Sequence, residues 1–337
     1  MTDKTRIAVI GLGSMAQLVH LPILSKLDNV HLTALCEVNR NRLKTVGEKY
    51  SSAKQYTDYN EMLSAEEVDA VILSTPTDTH TQISLDCLKA KKDILIEKPI
   101  ARNYTEAKEI VAAAKKVKKQ VMVGMNLRFR PDAMLLRSLV NSGELGDLFY
   151  IKCGWLRKQS STQKWFLNKK LSGGGVMIDL GIVILDLALW MMGDSKVNSV
   201  SVQKFNNTSK DVEDSAVGLI RFANDSVINF EVSWDLFSDV DSFNLVAHGT
   251  KGSVCLNPLR VYKKIEAGHI DYTPTSSVYP TNVYRKSYEN ELKHFIGSIR
   301  EGTNLLSSGA EALTRMNLLE AIYKSAEQGK EIKIQTL

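Results

Sequence analysis

A lysine with the position of a catalytic residue follows a short buried strand of this chain. The apolar run Ile94–Ile96 predicts the strand, and Glu97, Lys98 and Pro99 come directly after it. The proline ends the strand and restricts the backbone beside the lysine. Open α/β sheets bind ligands at the carboxyl ends of their strands, so Lys98 is the first residue we expect in catalysis. Taken alone, a surface lysine before a turn is the alternative interpretation.

A glycine-rich turn near the amino terminus has the spacing of a dinucleotide-binding motif. Gly11 allows a tight bend, Gly13 lets the backbone approach a pyrophosphate, and Ala16 lets a helix pack closely on the strand. The phosphates would lie at the helix amino terminus, where Ser14 and Met15 present free amides. We therefore expect the turn to bind NAD or NADP.

The residue after the next strand bears on the choice between the two cofactors. Glu37 lies 21 residues past Ala16, where a carboxylate accepts hydrogen bonds from the adenosine ribose and repels a 2′-phosphate. It favours NAD. Arg40 is close enough in sequence to bind a phosphate, so NADP stays open.

A polar segment after the following strand should line the other half of the cofactor cleft. It begins with Thr75 and Pro76, and Asp78 or Thr79 would cap the next helix. His80 falls in the first turn of that helix. A packing or capping role is favoured over catalysis there, because the positive end of a helix disfavours a protonated imidazole.

Strands alternate with helices from the amino terminus to residue 124. This order requires parallel pairing with right-handed crossovers, and it predicts a doubly wound α/β sheet. Residues 1–124 should therefore form a dinucleotide-binding domain. The predicted strands include Arg6–Ile10, Leu32–Cys36, Val68–Ser74, Ile94–Ile96 and Val121–Gly124.

The pattern changes after about residue 125. Strands with period-two alternation and hairpin turns predict an α+β domain with a mostly antiparallel open sheet over residues 125–337. An apolar helix over Val176–Met192 interrupts these strands, and two helices, Tyr288–Glu301 and Ala310–Gln328, close the chain. We expect this domain to bind the substrate and to hold subunits together.

Composition excludes several classes of function. Lys and Arg number 43 against 38 Asp and Glu, an excess too small to indicate nucleic-acid binding. The four cysteines have no spacing that would hold zinc, so no metal site is expected. The apolar run contains Asp179 and Asp186, which indicates a buried core helix and no membrane segment. The amino terminus has no apolar signal segment, so a cytoplasmic location is expected.

Several of these motifs together resemble those of the Gfo/Idh/MocA oxidoreductases, the relatives of glucose-fructose oxidoreductase and inositol dehydrogenase. The likeness extends over nearly the whole chain, to Ala321–Glu327. The motifs that carry it are Gly11–Ala16 with His20-Leu21-Pro22, Ser74-Thr75-Pro76 with His80, Glu97-Lys98-Pro99, Val123-Gly124 with Arg128-Phe129, and Gly173-Gly174-Gly175 with Asp179, Gly181 and Asp186.

This resemblance implies a Rossmann domain, a second domain whose sheet joins subunits into a homodimer or homotetramer, and NAD(P)-linked chemistry on sugars or polyols. It implies that Lys98, beside Glu97 in the cofactor site, contacts both substrate hydroxyl and cofactor, and that Asp179 lies in the active site. Four residues after that aspartate the family typically has a histidine that acts as acid or base. This chain has Val183 there.

The valine changes the chemistry available to the site. On an α-helix Asp179, Val183 and Asp186 would lie on one face, and a buried carboxylate needs a partner, for which Lys98 is our candidate. Conversion of an alcohol to a ketone moves a proton as well as a hydride, and valine moves neither. Lys98 could take the proton if its surroundings favour the neutral amine; a tyrosine or an ordered water are the alternatives.

Further polar and aromatic residues flank the expected cleft. Asn126, Arg128, Arg157 and Trp165 are candidates for binding substrate hydroxyl groups. Arg128 and Trp165 are equally suited to packing or to bridging the two domains. Asp186 is interpreted as structural, holding backbone at its helix. The triple glycine, residues 173–175, indicates close approach of backbone to a ligand, an unusual helix start or a flexible loop.

Three functions are consistent with these observations. The first is an NAD(P)-dependent dehydrogenase or reductase acting on CH–OH groups of a sugar, polyol or related carbonyl compound. The second is a dinucleotide-binding sensor without catalysis, which Val183 would explain. The third is a lyase or hydrolase that uses tightly bound NAD for a transient oxidation.

Overall fold

The computed structural model describes residues 4–158, 164–193, 195–234, 240–274 and 282–334. Contacts divide the chain into two compact units: unit 1 comprises Met1–Asn126 with Ser287–Thr314, and unit 2 comprises Leu127–Lys286 with Arg315–Leu337. The division differs from the predicted one at 1–124 and 125–337, because residues 287–314 return to unit 1. They are held there by Ser307, whose carbonyl accepts from the amide of Val123 (2.9 Å) and whose hydroxyl donates to the Val123 carbonyl (2.8 Å).

Unit 1 is built on a six-stranded sheet with the order β3-β2-β1-β4-β5-β6. All its pairs are parallel, which confirms the predicted doubly wound sheet. The central strands are apolar on both faces because helices cover both. The strands are β1 (Thr5–Ile10), β2 (Val30–Cys36), β3 (Lys54–Tyr56), β4 (Ala70–Leu73), β5 (Asp93–Glu97) and β6 (Val121–Gly124).

The first helix of unit 1 is irregular. It begins with a π turn, Ala16–His20, in which the amide of Leu21 reaches the carbonyl of Ala16, and it continues as α1 (Leu21–Leu24). The other helices lie between consecutive strands, as the alternating pattern predicts. They are α2 (Arg40–Lys49), α3 (Tyr59–Ala65), α4 (His80–Lys89) after a 3₁₀ turn at Thr77–Thr79, and α5 (Tyr104–Val117).

Unit 2 is built on a nine-stranded sheet with the order β14-β13-β12-β11-β7-β10-β9-β8-β15. Its pairs are antiparallel except β7 with β10, which confirms the predicted mostly antiparallel sheet. The strands are β7 (Leu148–Leu156), β8 (Val197–Phe205), β9 (Ser215–Phe222), β10 (Val227–Ser233), β11 (Ser242–Gly249), β12 (Gly252–Leu256), β13 (Arg260–Ile265), β14 (Gly268–Asp271) and β15 (Ile332–Lys333).

One helical segment of unit 2 is apolar on all sides. The 18-residue apolar window within Lys169–Met192 is 94% buried inside the protein, as expected of a core helix. The segment contains α7 (Lys169–Ser172), a π turn at Met177–Gly181 and α8 (Ile182–Met192). The remaining helices are α6 (Pro131–Asn141), after a 3₁₀ turn at Asn126–Phe129, and α9 (Val283–Glu301) and α10 (Gly309–Gln328), which both pass from one unit to the other.

Candidate active site

The turn after β1 has the backbone that its glycines predict. Gly11 has φ +88°, and a Cβ there would lie 2.5 Å from the carbonyl oxygen of Ser74. Gly13 is different, because a Cβ would meet nothing within 4 Å. Ser14 is exposed, Met15 is half-buried, and Ala16 is fully buried against the sheet. The turn thus leaves open space on the side where a pyrophosphate would approach.

Glu37 lies at the end of β2 against the same turn. Its buried carboxylate accepts from the amides of Leu12 (3.0 Å) and Asn39 (2.9 Å). A guanidinium nitrogen of Arg42 lies 3.1 Å from the same carboxylate. Arg42 is the third residue of α2, whereas Arg40, the arginine that the sequence offers for binding a phosphate, is exposed at the start of the helix.

The ends of β4 and β5 are tied together by His80. Its Nδ1 lies 2.9 Å from the carbonyl oxygen of Pro99, and its Nε2 lies 2.9 Å from that of Thr75. Burial lowers the pKa of His80, against the effect of the two carbonyls, so the ring is neutral and donates to one carbonyl at a time. This geometry supports the packing interpretation of His80.

The predicted cap of α4 is wrong. Thr79 occupies the N-cap position, but its side chain makes no capping hydrogen bond. Its hydroxyl instead donates to the carbonyl oxygen of Pro76 (2.7 Å) and lies 2.7 Å from the hydroxyl of Thr75, from which it accepts. The consequence is that Thr75 is held from two sides at the carboxyl end of β4.

Glu97 ends β5 directly before Lys98 and is itself buried. His20, the last residue of the first π turn, lies with Nε2 2.7 Å from the Glu97 carboxylate. Burial alone would raise the pKa of Glu97, but the hydrogen bond from His20, together with the charge and amide of Lys98, brings it below its ordinary value. Lys98 itself is half-buried, so the strand end presents a lysine on a backbone that an ionised glutamate holds.

The predicted substrate residues divide between the two units. In unit 1, the side-chain amide of Asn126 donates to the hydroxyl of Ser287 (3.0 Å). In unit 2, Arg157 lies 3.6 Å from the carboxylate of Asp241, and Trp165 stacks on its neighbour Phe166 with ring centroids 3.9 Å apart. Each candidate thus has a local partner that orients its side chain.

The triple glycine of unit 2 brings a helix start against two other chain segments. A Cβ on Gly175 would lie 2.0 Å from the carbonyl oxygen of Glu213, and one on Gly174 would lie 2.0 Å from the hydroxyl of Tyr323. The Glu213 carboxylate accepts from the amides of Gly175 (3.0 Å) and Met177 (3.1 Å) and from the Tyr323 hydroxyl (2.8 Å). The glycines are therefore required by close packing within the chain itself.

Asp179 follows this helix start inside the second π turn. Its carboxylate is 8% exposed and accepts from the indole N–H of Trp234 at 3.2 Å. The π turn contradicts the predicted single face for Asp179, Val183 and Asp186, because the i, i+4, i+7 spacing assumes an α-helix throughout. Val183 lies beyond the turn and is buried.

Asp186 is part of a buried ionic cluster in unit 2. Arg128 donates to both of its carboxylate oxygens at 2.7 and 2.6 Å, and Arg315 adds a third bond at 3.0 Å. Burial alone would raise the pKa of Asp186, but the two guanidinium charges lower it. The acid is structural as predicted, but its partners are side chains and not the backbone. Arg128 is likewise a packing residue.

Two family models together match most of the chain. The Gfo/Idh/MocA model described as an oxidoreductase family with an NAD-binding Rossmann fold matches residues 5–125. The model of the same family's C-terminal alpha/beta domain matches residues 137–334. The chain is a Gfo/Idh/MocA oxidoreductase.

Relatives of this Gfo/Idh/MocA oxidoreductase span its full length. D-glucoside 3-dehydrogenase of Escherichia coli is 28% identical over 99% of this chain and 98% of the relative. Myo-inositol 2-dehydrogenase of Thermotoga maritima is 28% identical over 98% of both chains. The structure of levoglucosan dehydrogenase with NADH has the same fold, with a TM-score of 0.90 at 20% identity over 99% of this chain and 100% of the other. A probable dehydrogenase from Thermotoga maritima has a TM-score of 0.82 at 26% identity over 98% of both.

Sequence reasoning missed several polar partners in this Gfo/Idh/MocA member. Arg42 and Glu213 are ordinary surface types in sequence, and nothing in their spacing marks them. Trp234 ends an alternating strand, which gave a signal for burial but none for its bond to Asp179. Among the described residues, no group of three or more His, Cys, Asp or Glu side chains is arranged to hold a metal ion.

Proposed function

We propose that this protein is an NAD(P)-dependent oxidoreductase that acts on a CH–OH carbon of a sugar, polyol or related carbonyl compound. The observation that carries the proposal is Glu37, whose buried carboxylate closes on the glycine turn through the amide of Leu12. This is the arrangement that recognises the ribose of a dinucleotide. The names of the two relatives, a glucoside and an inositol dehydrogenase, support the substrate class.

The residues of unit 1 fit a dinucleotide. The open space beside Gly13 would admit a pyrophosphate, and the amides of Ser14 and Met15 would face it. A carboxylate has about four acceptor positions, so Glu37, with three protein donors, keeps one for a ribose hydroxyl. When bound, the nicotinamide supplies the acceptor or donor of the hydride.

Arg42 supports a further proposal about the cofactor. Glu37 favours NAD, but Arg42 partly neutralises it at 3.1 Å and is accessible enough to meet a 2′-phosphate. We expect Arg42→Ala to weaken NADP binding about tenfold or more, the value of one lost charge-assisted bond, and to change NAD binding less. Calorimetric titration with both nucleotides measures this, with Arg300→Ala, an exposed arginine at the end of α9, as the matched control. Equal losses for both cofactors would contradict a role in selectivity.

Lys98 is proposed to handle the proton of the reaction. In the oxidation direction the substrate hydroxyl would lose its proton to the Lys98 amine as the hydride leaves the carbon. Val183 takes no part in this transfer. Asp179 is proposed to bind a substrate hydroxyl, oriented by Trp234, and Asn126, Arg157 and Trp165 are proposed to bind others. His80 with Thr75 and Pro76 would shape the cofactor side.

The test is turnover of NAD and NADP with a panel of sugars and polyols, followed as nicotinamide absorbance. We expect Lys98→Met to lower turnover by about 10² to 10⁴, the usual contribution of a proton-transfer group, with nucleotide affinity nearly unchanged. Lys116→Met, an exposed lysine on α5, is the matched control. Full activity in Lys98→Met would disprove the role of Lys98.

Two outcomes would favour the other functions. Nucleotide binding without turnover across the panel would indicate a sensor. Substrate conversion without net change in cofactor absorbance would indicate a lyase or hydrolase with tightly bound NAD.

We also propose that the outer face of the nine-stranded sheet joins subunits into a homodimer or homotetramer. Phe205 and Val217 are exposed on neighbouring strands, and the register places them on one face. Large exposed apolar side chains on one sheet face are typical of an interface. Light scattering should show an oligomer that Val217→Glu weakens, and a monomer at working concentrations would contradict the proposal.

A further inference from the structure

Glu291 is a buried acid that has no part in the proposed reaction. It lies on α9 within unit 1, its side chain is fully buried, and neither carboxyl oxygen has a hydrogen-bond partner among the described residues. An ionised carboxylate in such a place would be very costly. Native proteins rarely leave such groups unpaired, so Glu291 requires an explanation.

The face of α9 that carries Glu291 packs on residues of the candidate cofactor site. The ring of Tyr288 contacts the ring of His20 edge-on, with centroids 6.3 Å apart. Tyr288 and Glu291 are three residues apart and share a helix face. Burial raises the pKa of Glu291 well above its ordinary value, and the negative charge of Glu97 acts in the same direction. The acid is therefore neutral and carries a proton.

His20 has a buried ring nitrogen that could accept the hydrogen bond that a neutral Glu291 can donate. Its Nε2 is bound to the ionised Glu97 at 2.7 Å, so Nε2 carries the proton of that bond. Its Nδ1 is buried and has no partner among the described residues. A buried N–H without an acceptor is rarer in proteins than an acceptor without a donor, which favours a neutral ring with a lone pair on Nδ1. That lone pair needs a donor, and the carboxyl proton of Glu291 is one.

We propose that Glu291 is a positioning residue, a neutral carboxylic acid that binds one buried water and through it supports Nδ1 of His20. The water would accept from the Glu291 hydroxyl and donate to Nδ1 and to the second Glu291 oxygen, so all three orphaned atoms are satisfied. His20 in turn holds Glu97, and Glu97 accepts from the amide of Lys98. A chain of hydrogen bonds therefore runs from α9 to the backbone of the lysine.

Selective ¹⁵N labelling of histidine tests this without any substrate, since the chain contains six histidines. The His20 signals are those that disappear from the spectrum of His20→Gln. In the parent protein at neutral pH, we expect them to show a protonated Nε2 and a pyridine-type, hydrogen-bonded Nδ1. Glu291→Gln, which keeps a neutral donor, should preserve both signals. Glu291→Leu should shift Nδ1 to the position of an unbonded pyridine-type nitrogen.

The control is Ser298→Ala, which alters another buried polar residue of α9. An imidazolium at His20 in the parent protein would overturn the proposal, as would a Nδ1 signal that Glu291→Leu does not move. If Glu291→Leu does not fold, the spectra of the parent protein and of Glu291→Gln still test the proposal. The result is independent of the proposed oxidoreductase function. Where turnover is found, Glu291→Gln should retain it within about threefold, whereas Glu291→Leu should lose tenfold or more.

Discussion

Replacing Gly175 by alanine should displace the helix start that carries Asp179. The new Cβ would lie 2.0 Å from the Glu213 carbonyl oxygen, about 1.4 Å short of ordinary contact at 3.4 Å. Both atoms belong to, or are attached to, the backbone, so no side chain can rotate away. A shift of that size would break the bonds of the Gly175 and Met177 amides to the Glu213 carboxylate, now 3.0 and 3.1 Å long.

The magnitude follows from those two bonds. A hydrogen bond to a charged group contributes about 1.5 to 3 kcal/mol, so the free energy of unfolding should fall by about 3 to 6 kcal/mol. The amide of Asp179 donates to the Gly175 carbonyl at 3.2 Å, so the aspartate would move with the backbone. A misplacement near 1 Å costs about 100-fold in rate where positioning governs catalysis. Turnover should therefore fall in the molecules that still fold.

Gly181→Ala is the matched control, because it lies six residues further along the same segment. The nearest atom to its Cβ would be the terminal methyl of Met177 at 2.8 Å, which can rotate away. We expect this variant to lose less than about 1 kcal/mol, because alanine also restricts the unfolded chain. Urea denaturation and steady-state rates measure both variants. Equal stability of Gly175→Ala and Gly181→Ala would refute the reasoning from close packing.

Two more predictions concern the apolar helix. Val183→His inserts a larger ring at a buried position, which should cost about 1 to 3 kcal/mol of unfolding free energy and lower turnover; Val183→Leu controls for volume, and a large gain in turnover with His would contradict the assignment of the proton to Lys98. Asp186→Asn removes the buried carboxylate charge that Arg128 and Arg315 contact and should cost about 3 to 5 kcal/mol at neutral pH. The pKa of Asp186 is lowered by folding, so its stabilising effect is present above about pH 4 and is lost as pH falls through the lower folded value. Denaturation from pH 7 to pH 2 should therefore bring the Asp186→Asn curve towards the parent curve, and a constant gap between the curves would contradict the ionic explanation.

The first half of the fold was predictable because five of its six strands have a strong local signal; the exception is β3, which is three residues long and polar. Ile94–Ile96 and Val121–Gly124 are apolar throughout and are separated by an amphipathic helix, and such order admits few topologies. The second half was predicted less completely. Strands β13 and β14 are charged and largely exposed, and β15 is two residues long, so neither hydrophobicity nor periodicity marks them. They pair because the backbone of the neighbouring strand has hydrogen-bonding groups at the edge of the sheet.

The candidate site was predictable where backbone geometry demands one residue type. The φ of +88° at Gly11 is an example, since a side chain is disfavoured there whatever its chemistry. The partners of the site residues were not predictable, because they come from distant segments. Glu213 reaches the triple glycine from 38 residues away, and Trp234 reaches Asp179 from 55. Sequence spacing carries no information about such pairs.

The two π turns give the protein a sensitivity to deletion that its composition does not show. Each turn holds one residue more than an α-helix of the same rise requires, and the first contains the buried His20 whereas the second contains the buried Asp179. Removing a single residue from Met177–Gly181 would yield a more regular and locally more favourable helix. It would also rotate Asp179 by about 100° relative to Asp186, the turn of one α-helical residue. The shorter chain would be the better helix and the poorer enzyme, so selection on function would have to maintain the extra residue against local stability.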